Sequence, residues 1–199
     1  MQVGLDLIDS ARVLGRHTFI WTLRDRCPTI DFMPAIALID PSQSEVLSGL
    51  EAKAKQPNFF FRAMAHRPDV LKNFPPLYAA IMGPGPVDRR IKELLYLACS
   101  YVNHCPFCAA AHTAGAHKAG VTEQELHALK EEWDDPFSAP ERAAIHYARE
   151  LTRTANATAS REGLAAHFSD EQIAEMTLVV SLANFTNRFN NGLQILPEA

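Results

Sequence analysis

The chain has 199 residues, 47% hydrophobic and 21% charged, with a formal net charge of −4. That composition supports a sizeable core and excludes a disordered chain, and the lack of any long basic stretch excludes a nucleic-acid binder. No apolar run approaches the ~20 residues of a membrane span, and Asp6 and Asp9 stand where a signal peptide would be apolar. The expected compartment is the cytoplasm, where thiols stay reduced and a close cysteine pair points to catalysis or metal binding.

Residues 1–32 carry no Ser/Thr-x-x-Glu/Gln capping box and no sustained apolar period, and Met33-Pro34-Ala35-Ile36 leads into a well-punctuated stretch. Two readings stay open. One is an extension upstream of a natural start at Met33; the other is an N-terminal helix packed on the body or on a partner subunit.

Residues 33–199 read as one all-α domain. Alternating β-branched runs are nearly absent, while Ala, Leu, Glu and Lys recur at helical spacing. Ser42-x-x-Glu45, Thr122-x-x-Glu125 and Ser138-x-x-Glu141 fit capping boxes, and Ser169-x-x-Gln172 is a variant. Pro68 and Pro86 suit first helical turns, and Gly120 suits a C-terminal cap. The expected helices lie at about 43–56, 68–74, 76–82, 87–103, 106–119, 123–132, 139–154, 161–167 and 170–192. Pro75 and Pro76 are expected to separate the second from the third. A weak internal repeat aligns Ile91-Lys92-Glu93 with Ile173-Ala174-Glu175, which sets Asn187 and Asn190 opposite Cys105 and Cys108.

Chemistry concentrates between Glu93 and His112. Cys105 and Cys108 form a C-x-x-C pair, and Pro106 suits the first position of a helix that Cys105 would cap. Both sulfurs then lie near free backbone N–H groups and the positive end of a helix dipole, which favours thiolate. His112, four residues after Cys108, shares its helical face and can take the thiol proton directly or through a water. Glu93 could orient the imidazole, but it precedes Cys105 by a straight-helix length of about 18 Å, so the chain must fold back after Asn103.

The pattern Glu93-x11-Cys105-x2-Cys108-x3-His112 resembles the AhpD-like alkylhydroperoxidases of the carboxymuconolactone decarboxylase superfamily. The resemblance runs from about Met33 to the C-terminus and includes the segments beginning at Ser138 and at Asn184. It implies an all-α fold, often with repeated units, in homo-oligomers such as trimers or hexamers. It implies thiol-dependent reduction of organic hydroperoxides without a metal, haem or flavin cofactor. Cys108 would be oxidised to a sulfenic acid, Cys105 would close the disulfide, and Glu93 and His112 would relay the proton. A dithiol, thioredoxin-like or lipoyl reductant would restore the pair. Helix physics alone favours Cys105 as the attacking thiol, so the order of attack stays open. This chain has Phe107 where characterised members carry a histidine, and His104 stands just before Cys105.

Two other function classes stay open. One is a lactone decarboxylase; the other is a zinc-bound or redox-sensing protein, with Cys105, Cys108, His112 and His104 or His117 as zinc donors. Cys27 and Cys99 read as inert, and His117, His127, His146 and His167 as surface or capping residues. Asn184, Asn187, Arg188 and Asn191 share a helical face that could border a pocket or a subunit interface, or simply face solvent. Phe59, Phe60, Phe61 and Met64 read as core residues or as a wall of the peroxide pocket.

Overall fold

The protein's structure, a computed structural model, describes residues 33–197. The segment 1–32, and with it the choice between extension and helix, lies outside the described residues. No β-strand occurs among the described residues. After a 3₁₀ turn at Pro41–Gln43 come α1 (Glu45–Ala54), α2 (Phe59–Met64), α3 (Pro68–Met82), α4 (Arg89–Val102) and α5 (Pro106–Lys118). Then follow α6 (Glu123–Glu131), α7 (Ala139–Thr154), α8 (Thr158–Ala165) and α9 (Asp170–Gly192).

The centre of the fold is α4, which packs against α5, α6, α7 and α9. All residues from Lys92 to Ser100 are buried, as expected for a helix surrounded on every side. Leu94, Leu95, Leu97 and Ala98 share one core cluster with Ile145 and Ala148 of α7 and Val179, Val180 and Ala183 of α9. The charged side chain of Lys92 is fully buried with them. The Lys92 ammonium donates to Glu175 Oε1 (2.6 Å) and to the carbonyls of Gly83 (2.7 Å) and Ile81 (3.0 Å). Glu175 Oε2 also accepts the Val87 N–H at 2.7 Å, so one ion pair fixes the 83–87 turn to α9. Gly85 leaves room for that carboxylate, since a Cβ there would meet Glu175 Oε1.

Several boundaries follow their caps. The Thr122–Glu125 and Ser169–Gln172 boxes form, Glu141 reaches back to Ser138, and Gly120 takes a left-handed φ of 83° just past α5. Others differ from expectation. Asp40 and Gln43 cap the 3₁₀ turn, the Ser42 hydroxyl donates to Asp40, and Ser44 caps α1 in place of a Ser42–Glu45 box. Pro86 lies in the turn before α4 rather than in its first turn. The unexpected α2 starts where the Asn58 side chain accepts the Phe61 N–H at 3.0 Å.

The Pro75–Pro76 pair does not divide α3, which runs unbroken from Pro68 to Met82. A proline inside a helix costs about 3 kcal/mol. Leu71 and Phe74 on one side and Ile81 and Met82 on the other are all buried. Each such side chain returns roughly 1.5–3 kcal/mol, so packing outweighs the lost hydrogen bonds.

Candidate active site

The fold-back required by the Glu93–His112 spacing occurs between α4 and α5. His104 takes a left-handed φ of 51°, and the Cys105 N–H donates to Ser100 O at 2.9 Å, reversing the chain. Asn103 then ties the turn to α9. Its amide nitrogen donates to Oδ1 of Asn184 (3.0 Å) and of Asn187 (2.9 Å), and its carbonyl accepts from Asn191 (2.7 Å). The asparagine stripe of α9 is therefore an internal fastening of the cysteine turn.

Cys105 caps α5, with Pro106 as the first helical residue. The Cys108 N–H donates to Cys105 Sγ at 3.3 Å. The two sulfurs stand at disulfide distance, with Cα atoms 5.4 Å apart, a normal span for a bridge. Both residues are buried. Asn190 of α9 donates from Nδ2 to Cys108 Sγ at 3.3 Å, while its own buried Oδ1 has no partner among the described residues.

Glu93 and His112 meet across the α4–α5 interface. Glu93 Oε2 lies 2.7 Å from His112 Nδ1, and Arg89 holds Oε1 with Nε at 2.8 Å. Burial raises the Glu93 pKa, but the His112 hydrogen bond, the charge of His112 and the Arg89 guanidinium outweigh it and hold the carboxyl below its ordinary value. An ionised carboxylate only accepts, so Nδ1 carries the hydrogen and a neutral imidazole offers Nε2 as its acceptor. The Tyr78 hydroxyl stands 3.5 Å from Nε2. Burial, aided by the Glu93 charge, raises the Tyr78 pKa to about 12, so the hydroxyl keeps its proton at neutral pH. The Tyr96 ring stacks on the imidazole with centroids 3.4 Å apart and fixes its plane.

A cavity of about 270 Å³ opens onto these groups. Cys108, His112, Tyr78 and Asn190 share its wall with Phe60, Phe61, Phe74 and Phe107. Phe60 meets Phe74 edge-on at 5.1 Å and Phe189 at 5.4 Å. The phenylalanine run after Asn58 is thus both core and cavity wall. Among the described residues no Lys or Arg lines this cavity.

Glu93, Cys105, Cys108 and His112 are brought together. His104 is exposed and borders another cavity, of about 770 Å³, that touches Cys105. The donors named for zinc are not gathered: among the described residues no group of three His, Cys, Asp or Glu could hold a metal. His117 instead faces the Val121 carbonyl and Glu123. His117, His127, His146 and His167 are all exposed. Cys99 is fully buried, and burial pushes its thiol pKa up to about 12. Cys27 lies outside the described residues.

Tyr78, Arg89 and Gly115 did not stand out in the sequence, and Asn190 was marked only by the weak internal repeat that set it opposite Cys108. Arg89 precedes Glu93 by four residues, a helical ion-pair spacing that could have marked it. Tyr78 and Asn190 reach the site from 34 and 82 residues away, a distance at which spacing says nothing. Among the described residues no helix is long and apolar enough to cross a membrane.

Comparison with known proteins bears on family and fold. Residues 68–150 match the carboxymuconolactone decarboxylase family. The uncharacterized protein YdfG of Bacillus subtilis is 29% identical over 109 residues, spanning 52% of this chain and 74% of YdfG. A protein of unknown function from Agrobacterium tumefaciens, a candidate antioxidant defence protein AhpD, superposes with a TM-score of 0.63 at 26% identity, over 68% of this chain and 95% of that one. An uncharacterized peroxidase-related protein from Ralstonia eutropha, with an alkylhydroperoxidase AhpD core, gives a TM-score of 0.72 at 20% identity, over 83% and 92% of the two chains. Over residues 68–150 this chain is similar to the carboxymuconolactone decarboxylase family, and its fold is that of the AhpD-like, peroxidase-related proteins.

Proposed function

We propose that the protein is a thiol-dependent hydroperoxidase acting on organic hydroperoxides through Cys105 and Cys108. The observation that carries this reading is the shared wall: Cys108 and His112 border one aromatic cavity while Cys105 stands at disulfide distance behind. The Cys108 thiolate attacks the terminal peroxide oxygen, the O–O bond breaks, and the alkoxide leaves with a proton. Cys105 then attacks the Cys108 sulfenic acid, water leaves, and the disulfide closes. His112, held by Glu93, takes the proton from Cys108, and Tyr78 hands a proton from Nε2 to the alkoxide. Tyr78 thereby serves the proton delivery that Phe107 cannot. A dithiol returns the pair to thiols, and the protein's own sulfurs are the only redox groups the cycle needs.

This reading is preferred to lactone decarboxylation because a carboxymuconolactone carries carboxylates, and among the described residues no Lys or Arg lines the cavity. Self-association is part of the proposal, supported by the exposed apolar side chains Leu77, Leu178 and Phe185. The test is intact-mass analysis with peptide mapping after a brief pulse of cumene hydroperoxide on reduced protein. Rapid loss of two hydrogens, mapped to Cys105 and Cys108, is expected. Unchanged free thiols would overturn the reading.

A further inference from the structure

The Cys105–Cys108 pair is reached by two cavities, and each touches a different sulfur-bearing residue. The aromatic cavity of about 270 Å³ touches Cys108 and not Cys105. The cavity of about 770 Å³ touches Cys105 and not Cys108. Their walls differ in chemistry. The first is mostly phenylalanine and tyrosine. The second is lined by Tyr101, His104 and Ala109 together with the charged Lys130, Arg153, Glu131 and Glu132. Arg153 pairs with Glu132, whereas Lys130 is exposed and in no ion pair among the described residues.

We infer that the two half-reactions enter from different sides, and that the larger cavity seats a compact, polar dithiol that attacks Cys105. The inference rests on the redox reading above and assigns its reductant a site of its own. Thiol–disulfide exchange depends on which sulfur is attacked and on access to it. The attacking sulfur must approach in line with the bond being broken, so a nucleophile for Cys105 has to come from the side away from Cys108. A cavity that touches Cys105 alone leaves that approach open. Positive neighbours such as Lys130 favour the thiolate form of an incoming thiol.

The step balances. A thiolate of the dithiol bonds to Cys105 Sγ, the Cys105–Cys108 bond breaks, and Cys108 leaves as a thiolate that accepts the Asn190 hydrogen bond. The second thiol of the reductant loses its proton and attacks the mixed disulfide. The reductant closes its own disulfide, and Cys105 leaves as a thiolate and takes a proton. Two electrons pass from the dithiol to the protein, and the aromatic cavity takes no part in the transfer.

The experiment measures the two half-reactions separately in full-length protein. Disulfide is formed with diamide, so that its reduction by dithiothreitol is readable whether or not the protein turns over peroxides. Oxidation of the reduced protein is followed with cumene hydroperoxide. Ala109→Leu intrudes on the larger cavity, and Ala111→Leu intrudes on the aromatic one, where Ala111 lies. The expected result is a tenfold or greater fall in the ratio of reduction rate to oxidation rate for Ala109→Leu, and a rise for Ala111→Leu. Equal loss of both rates in each variant, or loss of reduction only in Ala111→Leu, would overturn the inference. Absence of peroxide oxidation with normal cavity-dependent reduction would instead sink the peroxidase reading alone. A second measurement does not rely on the leucine variants folding. Oxidised protein is treated with the monothiol 2-mercaptoethanol, the mixed disulfide is trapped in acid, and peptide mapping should place the adduct on Cys105 at least tenfold more often than on Cys108. An adduct mainly on Cys108 would place the reductant in the aromatic cavity.

Discussion

Gly115 makes room for the Glu93 carboxylate: a Cβ at position 115 would stand 2.4 Å from Glu93 Oε1 and 2.9 Å from its Cδ. Glycine inside an exposed helix is usually a weakness, and replacement by alanine normally stabilises by about 0.5–1 kcal/mol. Here the sign should reverse. Gly115→Ala is expected to lower the thermal midpoint and to slow peroxide oxidation about tenfold, because the carboxylate must leave His112. A raised midpoint with unchanged oxidation would show that Glu93 can move aside freely.

The Glu93 carboxyl sets an acid limit. Its pKa is held below the ordinary 4.5, despite burial, by His112 and Arg89. A lowered folded pKa stabilises the protein above the unfolded value, and that contribution fades as pH falls through the folded value. The Glu93 contribution to the stability gap between the wild type and Glu93→Gln should therefore shrink as pH falls below about 4.5. Losing a buried partner charge costs on the order of 3–5 kcal/mol, which sets the upper scale of the gap. Denaturant unfolding across pH measures it, and a gap that widens in acid would contradict the assignment.

Tyr78→Phe removes a single oxygen from the aromatic cavity. If that hydroxyl hands a proton to the departing alkoxide, the penalty must depend on how basic the leaving group is. Oxidation by tert-butyl hydroperoxide should slow by about 10–100-fold, within the range of general acid catalysis, whereas peracetic acid, which releases a weakly basic carboxylate, should slow by less than about threefold. Stopped-flow rates for both oxidants decide it. Equal slowing would reduce Tyr78 to a packing role.

The Lys92–Glu175 pair tests the frame around the site. Lys92 is fully buried with three acceptors around its ammonium. Glu175→Ala leaves that charge without its carboxylate and the Val87 N–H without its acceptor, and should cost about 3–5 kcal/mol. Lys92→Met paired with Glu175→Gln should recover a large part of it. A single mutant as stable as the double, by denaturant unfolding, would contradict the pairing.

The parts of this fold that were legible in the sequence are those governed by neighbours along the chain. Thr122, Ser138 and Ser169 mark helix starts because their partners lie three residues away, and Pro106 marks α5 for the same local reason. Pro75 and Pro76 misled because their local cost is real, yet the burial of Leu71, Phe74, Ile81 and Met82 decides the outcome. The candidate site divides in the same way. Cys105, Cys108 and His112 lie within one turn and helix, and Glu93 joins them through the helix reversal at His104. Tyr78 and Asn190 arrive from helices whose own sequences give no sign of the cysteines.

The link from Asn103 to α9 has a practical side for anyone dividing this protein into pieces. A fragment ending before Asn184 would retain Cys99, Cys105 and Cys108 and would look complete by thiol content. It would lack the amides that hold the cysteine turn and the one that donates to Cys108. Its thiols would report the chemistry of a peptide rather than of the folded protein.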